Sequence, residues 1–171
     1  MRHLMVLVLT LLLAFETNAQ SAEQKGLAIA QEGDRRDTGW TDGKAEMNMI
    51  LRNKQGQKSQ REIKIQMLEV LNDGDKSLSV FDSPKDIKGT AFLSYTHALV
   101  PDDQWLYLPA LKRVKRIASA NKSGPFMGSE FAYEDLTSQE VEKYTYKHLR
   151  DEALDGAACF VIEAYPVYKN S

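Results

Sequence analysis

The residues with catalytic or metal-binding chemistry are few in this sequence, and they stand far apart. Apart from one near the start, the histidines are His97 and His148, which fall in strand-like segments without a second ligand at metal-binding spacing. The single cysteine, Cys159, follows Ala158 and precedes Phe160, which favours a buried apolar side chain over a nucleophile. No HExxH, CxxC, GxSxG, GxGxxG or Walker motif is present. The sequence therefore predicts neither an enzyme nor a bound metal or cofactor.

A short basic run is the second feature with chemistry of its own. Residues 111–117 read LKRVKRI and place four cations in five positions: Lys112, Arg113, Lys115 and Arg116. A solvated strand arm is the ordinary explanation. The alternative is a docking patch for anionic headgroups or an acidic partner, since each Lys or Arg near a membrane surface contributes about 1 kcal/mol. The formal net charge of -2 argues against a nucleic-acid partner.

The elements that must position these side chains are mostly strands. Between Ala45 and Met67, apolar residues alternate with polar ones on both sides of Gly56, which predicts a β-hairpin. The apolar residues of both arms carry odd numbers, so paired residues must sum to an even value if they share one face. This favours a three- or five-residue loop, with positive φ at Gly56 and with Met49 near Ile63.

Further strands are predicted at residues 77–81, 90–98, 104–108, 111–117, 142–150 and 157–166. Residues 21–36 are the one helix candidate before the strands, weakened by Gly26 and Gly33. The pattern predicts a mainly β fold with short α elements: a curved antiparallel sheet or incomplete barrel with an N-terminal helix.

The apolar set of the first strands suggests a binding surface. If the helix covers the sheet loosely, part of that set lines a hollow, and a hollow lined by methionine and branched aliphatics accepts acyl chains. The predicted lining residues are Met47, Met49, Leu51, Ile63, Ile65, Met67, Leu78 and Val80. The alternative is an ordinary core filled by its own side chains.

An export signal is predicted at residues 1–19. A cationic start with Arg2 precedes an apolar run from Leu4 to Phe15, and Ala19 provides a small residue for cleavage. The apolar run is too short to span a bilayer as a helix. Removing 19 of the 171 residues leaves 152, enough for one domain at 20–171, which we expect to be soluble and periplasmic.

Five segments together resemble one known family. In chain order they read GDRRDTGWTDGKAEMNMIL, KGTAFL, DDQWLYLPALKRVKRI, GPFMGSEFAYEDL and CFVIEAYP. They resemble the LolA-like outer membrane lipoprotein-sorting proteins, in a branch of uncharacterised periplasmic proteins often associated with resistance-nodulation-division-type exporters. The resemblance covers Leu27 to Tyr168. It implies an incomplete antiparallel barrel, capped by helices, that carries lipid-modified or otherwise greasy cargo between membranes without catalytic residues.

The resemblance also implies further strands beyond Tyr168, whereas the sequence ends at Ser171. We therefore expect a C-terminally truncated relative of the family. An open sheet edge in such a chain would favour dimerisation or instability.

Three functions are compatible with these observations. The leading hypothesis is a periplasmic carrier for lipoprotein acyl chains or other lipid, with a transporter in the inner membrane as a further partner and transient membrane contact through the basic run. The second is a non-enzymatic accessory module that docks onto an envelope transporter of the resistance-nodulation-division type. The third is a secreted hydrolase whose activity depends on His97 or His148.

Overall fold

The alternating segments of the sequence form eight antiparallel strands in the part of the chain that the structure describes. The structure, a computed structural model, describes residues 20–167, so the predicted signal at residues 1–19 lies outside it. The helix and strands, in chain order, are α1 (Ala22–Asp37), β1 (Asp42–Arg52), β2 (Lys58–Leu68), β3 (Lys76–Ser83), β4 (Ala91–Tyr95), β5 (Asp103–Leu108), β6 (Arg113–Ile117), β7 (Tyr144–Leu154) and β8 (Ala157–Pro166). Among these residues, no helix has the length and apolar character needed to cross a membrane.

The strands form two separate sheets. Strands β1 to β6 are paired in sequence order, each antiparallel to the next, and β7 pairs with β8. Because β1 and β6 are the two edges of the larger sheet, the sheet does not close into a barrel. The predicted fold class, a mainly β chain with an N-terminal helix and an incomplete antiparallel barrel, is confirmed.

The β1–β2 hairpin has the parity that the sequence predicts. Met47 lies opposite Ile63, so partners sum to an even number, and five residues connect Arg52 to Lys58. Gly56 in that loop has φ +81°, a conformation that favours glycine because it has no Cβ. Met49 was expected near Ile63 but lies opposite Arg61, so the predicted strand register is off by two residues.

Helix α1 begins with a capping box and packs on the smaller sheet. Ser21 accepts from the backbone of Gln24, whose side chain accepts from the backbone of Ser21 in return. The helix packs chiefly against β7 and β8. Gly26 is buried there, and a Cβ at this position would lie 2.8 Å from the backbone nitrogen of His148. The expectation that this helix covers the larger sheet is therefore wrong.

The larger sheet has one covered face, which we call the inner face. The buried residues Met49, Ile63, Phe81, Phe92 and Leu106 lie on it. Its cover comes from the irregular segment at residues 118–143, which contributes the buried Phe126. The opposite side of the sheet, which carries Leu78, Leu93 and Trp105, is called the outer face below.

Candidate functional site

Six of the eight predicted lining residues share the inner face. The register of β1 with β2 places Ala45 opposite Ile65 and Met47 opposite Ile63, so the odd-numbered apolar residues of both strands project to one side. Met49 and Ile63 are buried, whereas Met67 at the far end is 37% exposed. The six residues are Met47, Met49, Leu51, Ile63, Ile65 and Met67.

The structure contradicts the prediction that Leu78 and Val80 line the same hollow. Ile65 of β2 lies opposite Ser79, and Gln66 lies opposite Leu78, so the even-numbered residues of β3 project to the outer face. The inner face of β3 carries Ser77 and Ser79 instead. The two aliphatic residues are therefore excluded from any hollow on the inner face.

An aromatic cluster fills the inner face over β3, β4 and β5. Phe126, at 0% exposure, lies 5.9 Å from the ring of Phe81 and 5.5 Å from the ring of Phe92. Tyr133 meets the Phe126 ring edge-on at 5.4 Å, a favourable arrangement of ring quadrupoles. The segment that contains Phe126 and Tyr133 is held to the sheet by Arg61, which donates to the carbonyl oxygen of Met127 at 2.7 Å.

Two hollows remain over β1 and β2, beside this cluster. The first, which we call the methionine cavity, has a volume of about 360 Å³. Met47, Ile65, Met67 and Trp40 form its apolar wall. Its other lining residues include Leu136 and four residues with small hydroxyl side chains: Ser77, Ser79, Thr137 and Ser138.

The second hollow, the hairpin cleft, lies nearer the β1–β2 loop. It has a volume of about 1200 Å³ and is lined by Met49 and Leu51 on the sheet side. Phe131 and Gln139 from the covering segment line the other side. Asp135 lines both hollows, so they are adjacent. All the predicted inner-face lining residues except Ile63 thus border one hollow or the other.

A third hollow has a different chemistry. It has a volume of about 530 Å³, and carboxylates dominate its lining: Asp34, Asp37, Glu69, Asp73, Asp75, Glu140 and Glu142. Burial raises the pKa of Asp75 and the pKa of Glu140 above their ordinary values. Such a polar lining is unsuited to an acyl chain, so the two hollows over β1 and β2 remain the candidates for apolar cargo.

The basic run is exposed but divided between two sides of the sheet. Lys115 lies opposite Leu106 and faces the inner side of the edge strand β6, whereas Arg116 lies opposite Trp105 on the outer side. Arg116 also pairs with Asp103 and lowers the pKa of that carboxyl. The four cations Lys112, Arg113, Lys115 and Arg116 therefore form an edge rather than one flat patch.

The histidines lie in ion-pair networks. His97 Nδ1 is 2.9 Å from Asp73, and its Nε2 is 3.6 Å from Asp103. The bond with Asp73 raises the pKa of His97, and it lowers the pKa of Asp73 to about 2. His148 Nε2 lies 2.6 Å from Asp151. Within residues 20–167, no group of three His, Cys, Asp or Glu side chains is arranged to hold a metal ion.

Cys159 is half-exposed on β8 and has a free thiol. The prediction of a buried side chain is therefore wrong. Its strand belongs to a two-stranded sheet, and only the face that meets α1 is covered there. Hydrophobic neighbours in the sequence do not by themselves distinguish a buried strand from one at the edge of a small sheet.

Comparisons with known proteins agree with this architecture. A family model described as "Uncharacterized protein" matches residues 73–171. A domain from Vibrio parahaemolyticus named for outer membrane lipoprotein sorting is 60% identical with a TM-score of 0.84 over 87% of this chain and 63% of its own. The chain belongs to the LolA-like lipoprotein-sorting family.

A second solved member of this fold, a DUF1329 family protein from Desulfovibrio piger, is more distant. It is 32% identical with a TM-score of 0.75, over 86% of this chain and 62% of its own. The chain thus spans less than two thirds of the length of both structures. No curated protein matches the chain.

Sequence reasoning missed the residues that shape the hollows from above. The covering segment has no regular period, so its aromatic residues could not be assigned to a face. The run GPFMGSEFAYEDL places Phe126, Tyr133 and Leu136 at irregular spacing. Trp40, in the turn before β1, stands out in the sequence only as a large aromatic residue in a polar stretch.

Proposed function

We propose that this chain is a non-enzymatic periplasmic carrier that holds acyl chains of a lipoprotein, or of another lipid, against the inner face of its larger sheet. The observation that carries the proposal is the methionine cavity, where the apolar side chains of β1 and β2 border space that the covering segment does not fill. Burial of an acyl chain there gains about 25 cal/mol per Å² of apolar surface, without directional contacts.

The methionines suit a carrier of variable chains. Met47 and Met67 lie on neighbouring strands of the same wall, and a flexible thioether side chain repacks around differently shaped apolar groups. The adjoining hairpin cleft offers space into which a longer chain extends. Membership of a family named for lipoprotein sorting, together with the export signal predicted at residues 1–19, supports a periplasmic location.

Lipid extraction and probe displacement test this proposal. The protein lacking residues 1–19 is purified, extracted for bound lipid and titrated with a fluorescent fatty acid. We expect bound lipid and probe displacement by fatty acid. A Met47→Trp variant places a large ring in the methionine cavity and should weaken probe binding at least several-fold, because the ring occupies space that the acyl chain would fill there.

Glu46→Trp is the matched control. It introduces the same ring on the same strand, but on the outer face. This variant should bind the probe as the parent does. Absence of extractable lipid combined with absence of probe binding by the parent protein would end the carrier proposal. Probe binding by Met47→Trp as tight as that by Glu46→Trp would show that the probe binds outside the methionine cavity.

The second candidate is an accessory module that docks onto an envelope transporter. The exposed cations of the edge strand β6 favour it, since Arg113 and Lys115 have no cover from the segment that fills the inner face. Charge reversal at both residues separates the two functions. Loss of transporter binding with unchanged probe affinity favours the module, whereas loss of probe affinity places the cations in the cargo path.

A further inference from the structure

The outer face of the larger sheet is apolar over β3 to β6, although it lies outside the core. Three side chains are paired across neighbouring strands in one row: Leu78, Leu93 and Trp105. Tyr107 and Val114 pair in the adjacent row, where Tyr107 is 38% exposed and Val114 is 64% exposed. With Tyr95, these residues form what we call the outer patch.

The outer patch is only partly covered, since Tyr107 and Val114 are exposed and its other side chains are half-buried. A shallow groove of about 340 Å³ runs beside it, lined by Leu68, Leu78, Leu93 and Tyr95. Tyr95 and Trp105 meet edge-on with ring centroids 5.5 Å apart, and both side chains are half-buried. A contiguous apolar patch on an exposed surface marks an interaction site.

Cations border the patch on two sides. Lys76 lies over the Tyr95 ring with its Nζ 4.7 Å from the centroid. Arg116 is the strand partner of Trp105, and it neutralises Asp103, the carboxylate of the neighbouring row. The border is therefore complementary to an anionic surface.

We infer that the outer patch docks the protein onto an anionic lipid bilayer, with Trp105, Tyr95 and Tyr107 at the level of the headgroups and with Lys76 and Arg116 against the lipid phosphates. Tryptophan and tyrosine have an apolar body and a polar tip, which is the chemistry of the membrane–water interface. A sheet face with only a shallow groove lacks the deep pockets in which protein partners place their anchoring side chains. This inference concerns the face opposite the cargo hollows and does not depend on the proposed function.

Vesicle binding tests the inference directly. The probes are vesicles of phosphatidylcholine alone and vesicles that also contain phosphatidylglycerol. The chain has two tryptophans, so a Trp40→Phe variant leaves Trp105 as the fluorescent reporter. We expect co-sedimentation with the anionic vesicles only, weaker at high salt, together with a shift of Trp105 emission to shorter wavelength.

Variants on the patch and matched variants elsewhere locate the contact. Tyr107→Thr combined with Val114→Thr should weaken vesicle binding, and both positions are exposed enough to leave the core intact. Lys76→Glu should weaken it at least about fivefold, the equivalent of about 1 kcal/mol for one lost cation. Tyr165→Thr on β8 and Lys54→Glu in the β1–β2 loop alter residues of the same types away from the patch and should leave binding unchanged.

Three results would overturn the inference. The first is absence of co-sedimentation with phosphatidylglycerol vesicles at low salt. The second is vesicle binding without a shift of Trp105 emission, or binding reduced equally by the patch variants and their controls, because the bilayer would then contact another surface. The third is binding of polyglutamate with no binding of vesicles, which would identify an acidic protein as the partner instead.

Discussion

The two halves of the inner face, one over β1 and β2 and the other over β3 to β5, differ in how they are packed. Over β3 to β5, Phe81 and Phe92 are fully buried beneath Phe126. Over β1 and β2, Met47 and Ile65 border a cavity of about 360 Å³. The difference arises from the reach of the covering segment, whose aromatic rings cluster over one half only. Apolar alternation in a strand therefore specifies which face is turned inward, but not whether that face is filled.

The division separates stability from binding. A close-packed half supplies dispersion and burial energy, whereas a half with space beside its side chains gains that energy only when a ligand occupies it. Leu136 of the covering segment borders the cavity of the open half, and its neighbours Thr137 and Ser138 are small and polar. We therefore expect substitutions in the two halves to have different effects on folding and on cargo.

The largest effect is expected from Phe126→Ala, which removes the centre of the filled half. The ring is fully buried among Phe81, Phe92 and Tyr133, so its loss should lower the free energy of unfolding by about 3–5 kcal/mol in urea denaturation. Phe131→Ala, in the same segment but exposed, should cost less than about 1 kcal/mol. Similar losses for both would contradict the assignment of the filled half.

The next largest effect is expected from Gly26→Ala, which tests whether α1 stabilises the smaller sheet rather than the open half. A Cβ would lie 2.8 Å from backbone atoms of Lys147 and His148, so the helix must shift, at a cost of about 1–3 kcal/mol. Gly33→Ala has nothing within 4 Å of the new Cβ and should stabilise the helix by up to about 1 kcal/mol. Thermal unfolding monitored by circular dichroism measures both.

Fatty-acid probe affinity should be unchanged in both glycine variants. Helix α1 packs chiefly on β7 and β8, and the hollows over β1 and β2 are on the other sheet. A large loss of probe binding in Gly26→Ala alone would mean that the helix helps to form the site, as the sequence first suggested.

The open half was the more predictable of the two. In β1 and β2 the apolar residues keep one parity through both arms, so the face that Met47 and Ile65 share follows from alternation, although the predicted pairing of Met49 with Ile63 was off by two residues. In β3 the pattern is inverted, because Ser77 and Ser79 face inward while Leu78 faces outward. The serines lie beneath a polar part of the covering segment, and the aliphatic residues belong to the outer patch. Neither arrangement can be derived from the local sequence of β3.

A smaller effect on folding is expected from Met47→Ala. The side chain is half-buried and already borders empty space, so the new cavity adds little, and the loss in free energy of unfolding should be about 1 kcal/mol. Probe affinity should fall several-fold, since the acyl chain loses apolar contact surface. A loss of 3 kcal/mol or more in urea denaturation, with unchanged affinity, would place Met47 in a close-packed core.

The smallest effect is expected from the pH dependence of His97, at the turn end of the filled half. Hydrogen bonding to Asp73 raises the pKa of His97 above its ordinary value of 6.5. Its stabilising contribution is therefore complete below pH 6.5 and lost as the pH rises through the raised value. The partner behaves oppositely, since the pKa of Asp73 falls from 3.8 to about 2 and its contribution is lost only as the pH falls through that range.

Substitution of His97 by Gln separates these two contributions. The melting temperature of His97→Gln should fall below that of the parent by roughly 2 °C or less at pH 6, and by a smaller amount at pH 9, because the parent histidine is then neutral. Asp73→Asn should also remove the extra stabilisation at pH 6 relative to pH 9, because this variant lacks the carboxylate that is the principal cause of the raised pKa of His97. An equal decrease at pH 6 and pH 9 would show that His97 contributes by packing alone. Probe affinity should be unaffected in both variants, because the ion pair holds turns at the end of the sheet while the hollows depend on the reach of the covering segment.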